Sequence, residues 1–448
     1  MRTLRPARRA RGLAALGAVA LAAAAGGCND FLTAENPGAV EEADVNRPGY
    51  ATLLTNGVIG EFQTAFSNVT WWNAIYTDEL HNRNVFPEEG LIDQRRVGPE
   101  NGTYSTFIYN RIQRARFSAD DAARRLTTVL GDSAGRDLRL ARSLAYGGMT
   151  YNYLAEMLCT IPFDGQAPRT PDEVFRAAIA KLDSAVAIAN AAKAAAKART
   201  SLVAGDTLAA DSVRFFALVG TARAALNLND GPRAVAAAQQ VPAAFAFFAN
   251  YSTNSAGENN RIWLNLTAAS GGTTDNTPFR AMTGDVRVPR NWNGTGTPTV
   301  TQLIPRSPSS YSTFDGTPTG SPFVAGGTIR IASGLEARYI IAEAQIATNP
   351  AQALALVNER RAFGRAQPPV AGLSGTALLT ELRDQRRRDF YLDNHRLGDL
   401  RRYLKYYQVN EFPTGPYPGS STGETYGDAT CWPLTQAELN SNPNIPTS

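Results

Sequence analysis

The residue types that could do chemistry concentrate in one stretch, "WWNAIYTDELHNRN" (71–84). Asp78 and Glu79 are adjacent carboxylates, and hydrolysis of a glycosidic bond uses two carboxyl groups flanking the scissile bond. The pattern alone is also common for structural reasons. Asp120-Asp121 and Asp172-Glu173 fall where helices are expected to start, and acids are favoured at a helix N-terminus. The same stretch carries flat aromatic faces, Trp71, Trp72 and Tyr76, beside polar Asn73, Asn82 and Arg83. Indole and phenol faces pack on the apolar faces of sugar rings, while amide and guanidinium groups read hydroxyls. That makes Trp72, Asn73, Tyr76 and Arg83 candidate ligand-binding residues. The competing reading is a helix over 50–80 that buries these rings in its core. Trp72 and Tyr76 share a helical face and Trp71 points elsewhere. Further along, Trp292 in the polar turn "RNWNGTG" and Tyr311 are two more candidates, since a glycine-rich turn offers little core.

Other chemistries are excluded by what the sequence lacks. "GSSTG" (419–423) matches the Gly-x-Ser-x-Gly pattern of a nucleophile elbow, but that motif needs a strand before and a helix after. Here it sits among prolines and glycines, and no His follows Ser421. His81 and His395 are the chain's two histidines, too few for a zinc site of ordinary composition, and no metal is expected. No phosphate-binding loop, His-Glu-x-x-His or dinucleotide glycine fingerprint occurs, so no cofactor is expected.

The elements that must position these residues read as mainly α. "SADDAARRLTTVL" opens with Ser118 as a cap, and "DLRLARSLAYGGMTYNYLAEML" spaces its apolar residues at three and four. Thr170, Pro171, Asp172 and Glu173 give a capped start with proline at the first helical position. Two further helices, "AADSVRFFALVGTARAALNL" and "GPRAVAAAQQV", are joined by an Asn-Asp-Gly turn. Paired alanine-rich helices with short turns read as tetratricopeptide-like hairpins, without the strict repeat signature. Residues 250–332 turn to Gly, Thr, Ser, Asn and Pro, a long loop-rich excursion with a few short strands. Its length implies function, and Trp263, Trp292, Tyr311 and Phe314 within it argue against plain disorder. Helices resume at "SGLEARYIIAEAQIAT", break at Asn349-Pro350, and restart behind Ser374.

The N-terminus predicts where the protein goes. Arg2, Arg5, Arg8, Arg9 and Arg11 precede an apolar run, Leu13 to Ala25, then Gly26, Gly27 and Cys28. This is the layout of a secretory signal peptide, residues 1–27, with Cys28 at the cleavage point as a lipidation site. With five Arg in the leader, 39 basic residues remain against 40 acidic ones, so the +4 of the whole chain is no argument for nucleic acid binding. Cys159 and Cys431 are then an even pair in an oxidising compartment, expected to form a disulfide; the alternative is two separately buried thiols. In the segment 386–403, Arg386, Arg387, Arg388, Arg396, Arg401 and Arg402 alternate with Asp389, Asp393 and Asp399, while Arg383 and Asp384 stand just before it. Interleaving at helical spacing predicts a structural ion-pair network.

Four segments together resemble the SusD/RagB family of outer-membrane nutrient-binding lipoproteins. They are "CNDFLTAENPG" from Cys28, "EARYIIAEAQI" with Ala342-Glu343-Ala344, "RRRDFYLDNHRLGDLRRY" (386–403) and "CWPLTQAELNSNPNIP" (431–446). Asp389 stands for a usual Glu, Asn394 for Gly, Leu397 for Trp, and Leu434-Thr435 for Ile-Pro. The resemblance implies a helical-repeat region over 28–249, the loop-rich excursion at 250–332 and a C-terminal family region over 333–448. It also implies a non-catalytic protein, lipid-anchored at the outer membrane and exposed at the cell surface. Such a protein captures an oligosaccharide or similar nutrient for a TonB-dependent SusC-like transporter, on a ligand surface built by loops, here 82–104 and 263–314. The alternatives are a surface glycoside hydrolase on an all-α scaffold and a helical scaffold with no small ligand.

Overall fold

The computed structural model describes residues 45–446 except 83, 85, 200–203, 256, 268–271, 274–275, 289–290, 293–302, 305–312, 315–316, 319–325 and 419–422. At 272–273, 291–292, 303–304, 313–314 and 317–318 only the backbone is described. The leader, Cys28, Arg83 and Tyr311 lie outside the described residues. Two units divide the chain. The first ends at Tyr50 and includes the short turn Pro48–Tyr50; the second is Ala51–Ser448.

The second unit is built from helices α1 (Ala51–Tyr76), α2 (Pro87–Asp93), α3 (Asn110–Leu130), α4 (Leu138–Met157), α5 (Pro171–Lys197), α6 (Ala204–Asn227) and α7 (Gly231–Ala238). Within the excursion lies α8 (Arg261–Thr267), and after it come α9 (Gly334–Ala344), α10 (Pro350–Gly364), α11 (Gly375–Asp389), α12 (Arg396–Arg402) and α13 (Gln436–Ser441). Consecutive helices pack side by side through α3, α4, α5 and α6, as stacked hairpins should. Local chemistry explains the starts. The Thr170 hydroxyl accepts from the Glu173 N–H at 3.3 Å while the Glu173 carboxylate accepts from the Thr170 N–H at 2.7 Å, a complete capping box. Asn349 caps α10 ahead of Pro350. Close packing needs glycine at two places. A Cβ on Gly148 would lie 2.5 Å from Leu182 Cγ, and one on Gly220 3.0 Å from Leu182 Cδ1. Leu182 of α5 therefore fills a notch between α4 and α6 that any larger residue would close.

Ser118 does not start a helix. The apolar spacing of α3 begins further upstream, burying Ile112, Ala115, Ala119, Ala122 and Leu126 along one face, and this continuous stripe overrides the cap signal. Asp120 and Asp121 consequently lie mid-helix and serve as ion-pair partners. Asp121 takes Arg125 at 2.6 Å, and Asp120 takes Lys181 at 2.7 Å and the Tyr151 hydroxyl at 2.8 Å.

Antiparallel strands pin the base of the excursion, Ala246–Ala249 against Ile329–Ser333 in the register Ala246↔Ser333 to Ala249↔Ile329, with a bulge between Phe247 and Phe248. Ser333 ends that strand and caps α9, its hydroxyl accepting from the Glu336 N–H at 3.1 Å. The turn between α11 and α12 holds Leu392 and Asn394 at φ of 59° and 68°. Asn tolerates this left-handed region better than most residues, which accounts for its place where the resembled family carries Gly.

The Arg-rich segment is a buried charge lattice. Asp389 accepts from Arg360 at 2.9 and 3.0 Å and from the Tyr339 hydroxyl at 2.5 Å. Asp399 takes Arg386 at 2.7 Å and Arg402 at 2.8 Å, and Arg402 lies on Glu343 at 2.8 and 3.0 Å. Burial works against ionising Asp389 and Asp399, yet the adjoining arginines outweigh it and hold both carboxyls below the usual range. His395 sits inside the lattice with Nδ1 2.7 Å from Asp393 and Nε2 3.2 Å from Glu336.

Candidate ligand-binding surface

The last turns of α1 explain what happens to the first set of candidates. Every residue from Ala65 to Leu80 is buried, so this helix end is enclosed on all sides. Trp72 is 7 % exposed and Tyr76 0 %. Tyr76 stacks on Trp432 with ring centroids 4.4 Å apart, and its hydroxyl donates to the Cys431 carbonyl at 3.0 Å. Asn73 accepts from Trp432 Nε1 at 3.0 Å and donates to Asn394 Oδ1 at 2.7 Å. Trp72, Asn73 and Tyr76 are thus core residues with no face open to a sugar, which corrects their reading as ligand contacts. Cys159 and Cys431 are joined in a disulfide beside them. The backbone crosses there too, Trp432 N–H donating to Met157 O at 2.9 Å and Cys159 N–H to Trp432 O at 3.0 Å.

The carboxylates of the same stretch are equally committed. Arg396 donates to both oxygens of Asp78 at 2.7 Å. Glu79 accepts the Leu392 N–H at 2.9 Å, and burial pushes its carboxyl up to about 8. The two acids therefore hold the exit of α1 against the α11–α12 turn. They do not flank a site.

From that fixed exit the chain enters the loop that sequence reading marked. His81–Asn82 pairs antiparallel with Gly272–Thr273, and Leu303–Ile304 lies beside Gly272–Thr273. Leu303–Ile304 in turn pairs with Asn291–Trp292, in the register Trp292↔Leu303. The two predicted loop regions, 82–104 and 263–314, thereby join in one small set of ladders. Trp292 stands on its outer member; its side chain lies outside the described residues. Asp93, at the end of α2, is the hub underneath. Its carboxylate accepts from the Asn82 N–H and the Tyr417 hydroxyl, both at 2.7 Å, and lies 2.9 Å from His81 Nδ1. Asn82 turns inward on its own loop, accepting from the Asn84 N–H at 3.0 Å.

One residue at this surface escaped the sequence reading. Phe86 is 61 % exposed, more than any other aromatic side chain among the described residues. Its signal was an aromatic in a polar loop directly before the Pro-Glu-Glu start of α2, where no helical period could turn it inward. Leu91, on α2 itself, is a second exposed apolar residue at 38 %. The hub residue Asp93 and the tail residue Tyr417 carried no local signal, because their partnership spans the chain.

Residues 328–446 match the model of the SusD family. No curated protein matches the sequence. Among solved structures, a SusD superfamily protein from Bacteroides fragilis superposes with a TM-score of 0.64 at 14 % identity, covering 90 % of this chain and 99 % of that one. A SusD-like carbohydrate binding protein from Bacteroides vulgatus gives 0.62 at 15 % identity, covering 89 % and 97 %. Surface glycan-binding protein A from Bacteroides thetaiotaomicron, solved in complex with laminarihexaose, gives 0.61 at 14 % identity over 88 % and 98 %. At these identities the likeness establishes the fold, and the helical architecture read from the sequence is that of these relatives.

Proposed function

We propose that this protein is a non-catalytic glycan-binding lipoprotein of the outer membrane. It binds through the loop surface around Phe86 and the Trp292 ladder, and hands its ligand to a TonB-dependent SusC-like transporter. The observation that carries the reading is the joining of 81–82, 272–273, 303–304 and 291–292 into one set of ladders. That arrangement sets loops of two distant segments on a rigid helical base, where binding residues are commonly found. The match of residues 328–446 to the SusD family model and the carbohydrate-binding proteins among the structural neighbours support the ligand class. The non-catalytic reading is supported by the burial of Asp78 and Glu79, the pair that most resembled a hydrolase. Anchoring through Cys28 is supported by the leader that precedes it. Among the described residues no helix is long and apolar enough to cross a membrane.

The test is affinity electrophoresis or calorimetry against a panel of soluble polysaccharides, with Phe86→Ala and Trp292→Ala beside the parent. Each loses a stacking face, so affinity should fall by one to two powers of ten, about 1.4–2.8 kcal/mol, with the melting temperature nearly unchanged. Steady release of reducing ends by the purified protein would instead establish the hydrolase. Parental affinity in both variants would move the site elsewhere.

A further inference from the structure

A cavity of about 510 Å³ opens where the end of α4, the start of α5 and α12 meet. Ala155, Phe175 and Leu404 give it an apolar wall, and Arg401, Arg402 and Lys405 give it a cationic one. Two of these cations are matched. Arg402 is held by Glu343 and Asp399, and Lys405 by Asp172 at 2.7 and 3.0 Å. Arg401 has no carboxylate partner among the described residues. Its Nη1 donates to three carbonyls at the end of α4, of Ala155 at 3.0 Å, Glu156 at 2.8 Å and Leu158 at 3.2 Å. Those carbonyls carry only the partial charge of a helix C-terminus, which offsets part of a full cation.

The remaining acid of the wall does not complete the pairing. Glu156 accepts from Asn227 Nδ2 at 3.1 Å and lies 4.0 Å from Arg223, so it faces other groups. Burial also raises its pKa, against the pull of Arg223 and His395, which weakens it as a counter-charge. Loss of water pushes Arg401 itself down to about 10, consistent with a guanidinium short of an anion. The N-terminus of α5 adds positive potential at the mouth, although Thr170 is already occupied by its own capping box.

We propose that this cavity binds a monocarboxylic acid with an apolar body, its carboxylate on Arg401 and its hydrocarbon against Phe175 and Leu404. One unmatched cation selects a monoanion over a phosphate dianion, and the volume lies in the range of small-molecule sites. The site is separate from the loop surface and does not depend on the glycan reading.

The test titrates phenylacetate and its uncharged isostere phenylacetamide into the full chain by calorimetry. Phenylacetate should bind saturably and the amide at least about tenfold more weakly, since charge-assisted bonds to a partly desolvated guanidinium are the strong ones. Arg401→Gln should weaken phenylacetate about tenfold or more and leave the amide unchanged. Should Arg401→Gln fail to fold, Lys405→Glu at the exposed mouth should weaken the acid in the same sense. Absence of saturable phenylacetate binding to the folded parent overturns the proposal. So do equal affinities for acid and amide, or undiminished acid binding in the folded variant.

Discussion

Asn73 separates a core role from a ligand role by a measurable amount. Its amide serves two buried partners at once, accepting from Trp432 Nε1 at 3.0 Å and donating to Asn394 Oδ1 at 2.7 Å. Asn73→Ala removes both bonds and strands the Trp432 N–H and the Asn394 carbonyl, with Trp432 0 % exposed and Asn394 4 %. A buried polar group left without its partner costs about 1–3 kcal/mol, so the two together should lower unfolding stability by about 2–5 kcal/mol. Trp432→Phe keeps a ring on Tyr76 but strands the Asn73 acceptor, and should cost stability on its own. Because each single change orphans the other's partner, the double variant should lose at least about 1 kcal/mol less than the two singles combined. The assay is urea unfolding followed by both fluorescence and circular dichroism, whose coincidence checks the two-state treatment. Glycan affinity of the folded Asn73→Ala protein should match the parent. An unchanged urea midpoint together with lost binding would refute the core assignment and return Asn73 to the ligand surface.

The Cys159–Cys431 bridge closes a sequence separation of 272 residues, and replacing both cysteines with serine should cost about 2–5 kcal/mol by denaturant unfolding; two alkylatable thiols in the unreduced protein would count against the bridge. Glu79 retains its proton in the folded chain up to about pH 8, whereas an unfolded glutamate loses it near pH 4.3, so the folded state holds the extra proton between those values and stability should fall as pH rises through that window. Glu79→Gln keeps an acceptor for the Leu392 N–H and should flatten that slope in melts from pH 5 to 9; an identical slope would show that another group is responsible. Cys28→Ala should move the protein from the membrane to the soluble fraction with its melting temperature unchanged, since one acyl chain binds a bilayer only marginally and a diacylglyceryl cysteine carries at least two; a variant that stays membrane-bound contradicts lipid anchoring.

Whatever local signals control was readable in advance. The capping box at Thr170, the break at Asn349-Pro350 and the periodic faces of α4 to α6 are contained within a few residues of themselves. The Arg-rich segment announced part of its pairing, because Arg387 and Arg388 reach Asp384 and Arg402 reaches Asp399 within a single turn, while Asp389 and Asp393 take Arg360 and Arg330 from far along the chain. Other features depend on partners far along the chain. Tyr76 and Asn73 are enclosed by Trp432, more than 350 residues away, and no spacing rule reaches that far. A weaker clue was present. "AFSNVTWWNAIY" offers no charged face, and a helix without a charged face is usually surrounded. Ser118 misled for the opposite reason: a good local cap lost to a longer apolar stripe that begins six residues earlier, at Ile112.

The Asp78-Glu79 pair shows how a motif with catalytic form can come to serve the proposed binding surface. A bidentate bond from Arg396 and a backbone bond to Leu392 fix both carboxylates, so the chain leaves α1 at a set point and in a set direction. Two residues later it forms the ladder that joins the two loop regions. Below that ladder Asp93 repeats the device, fastening the Asn82 backbone and the Tyr417 phenol to the end of α2. Loops that bind by stacking need little freedom at their bases, because every rotor frozen on binding subtracts from affinity. Buried acids beneath the ladder remove that freedom during folding. The same burial that withdraws Asp78 and Glu79 from catalysis therefore makes them supports for the proposed ligand surface. It follows that Asp78→Asn should act on binding only through the loop, and only as far as it loosens the exit of α1.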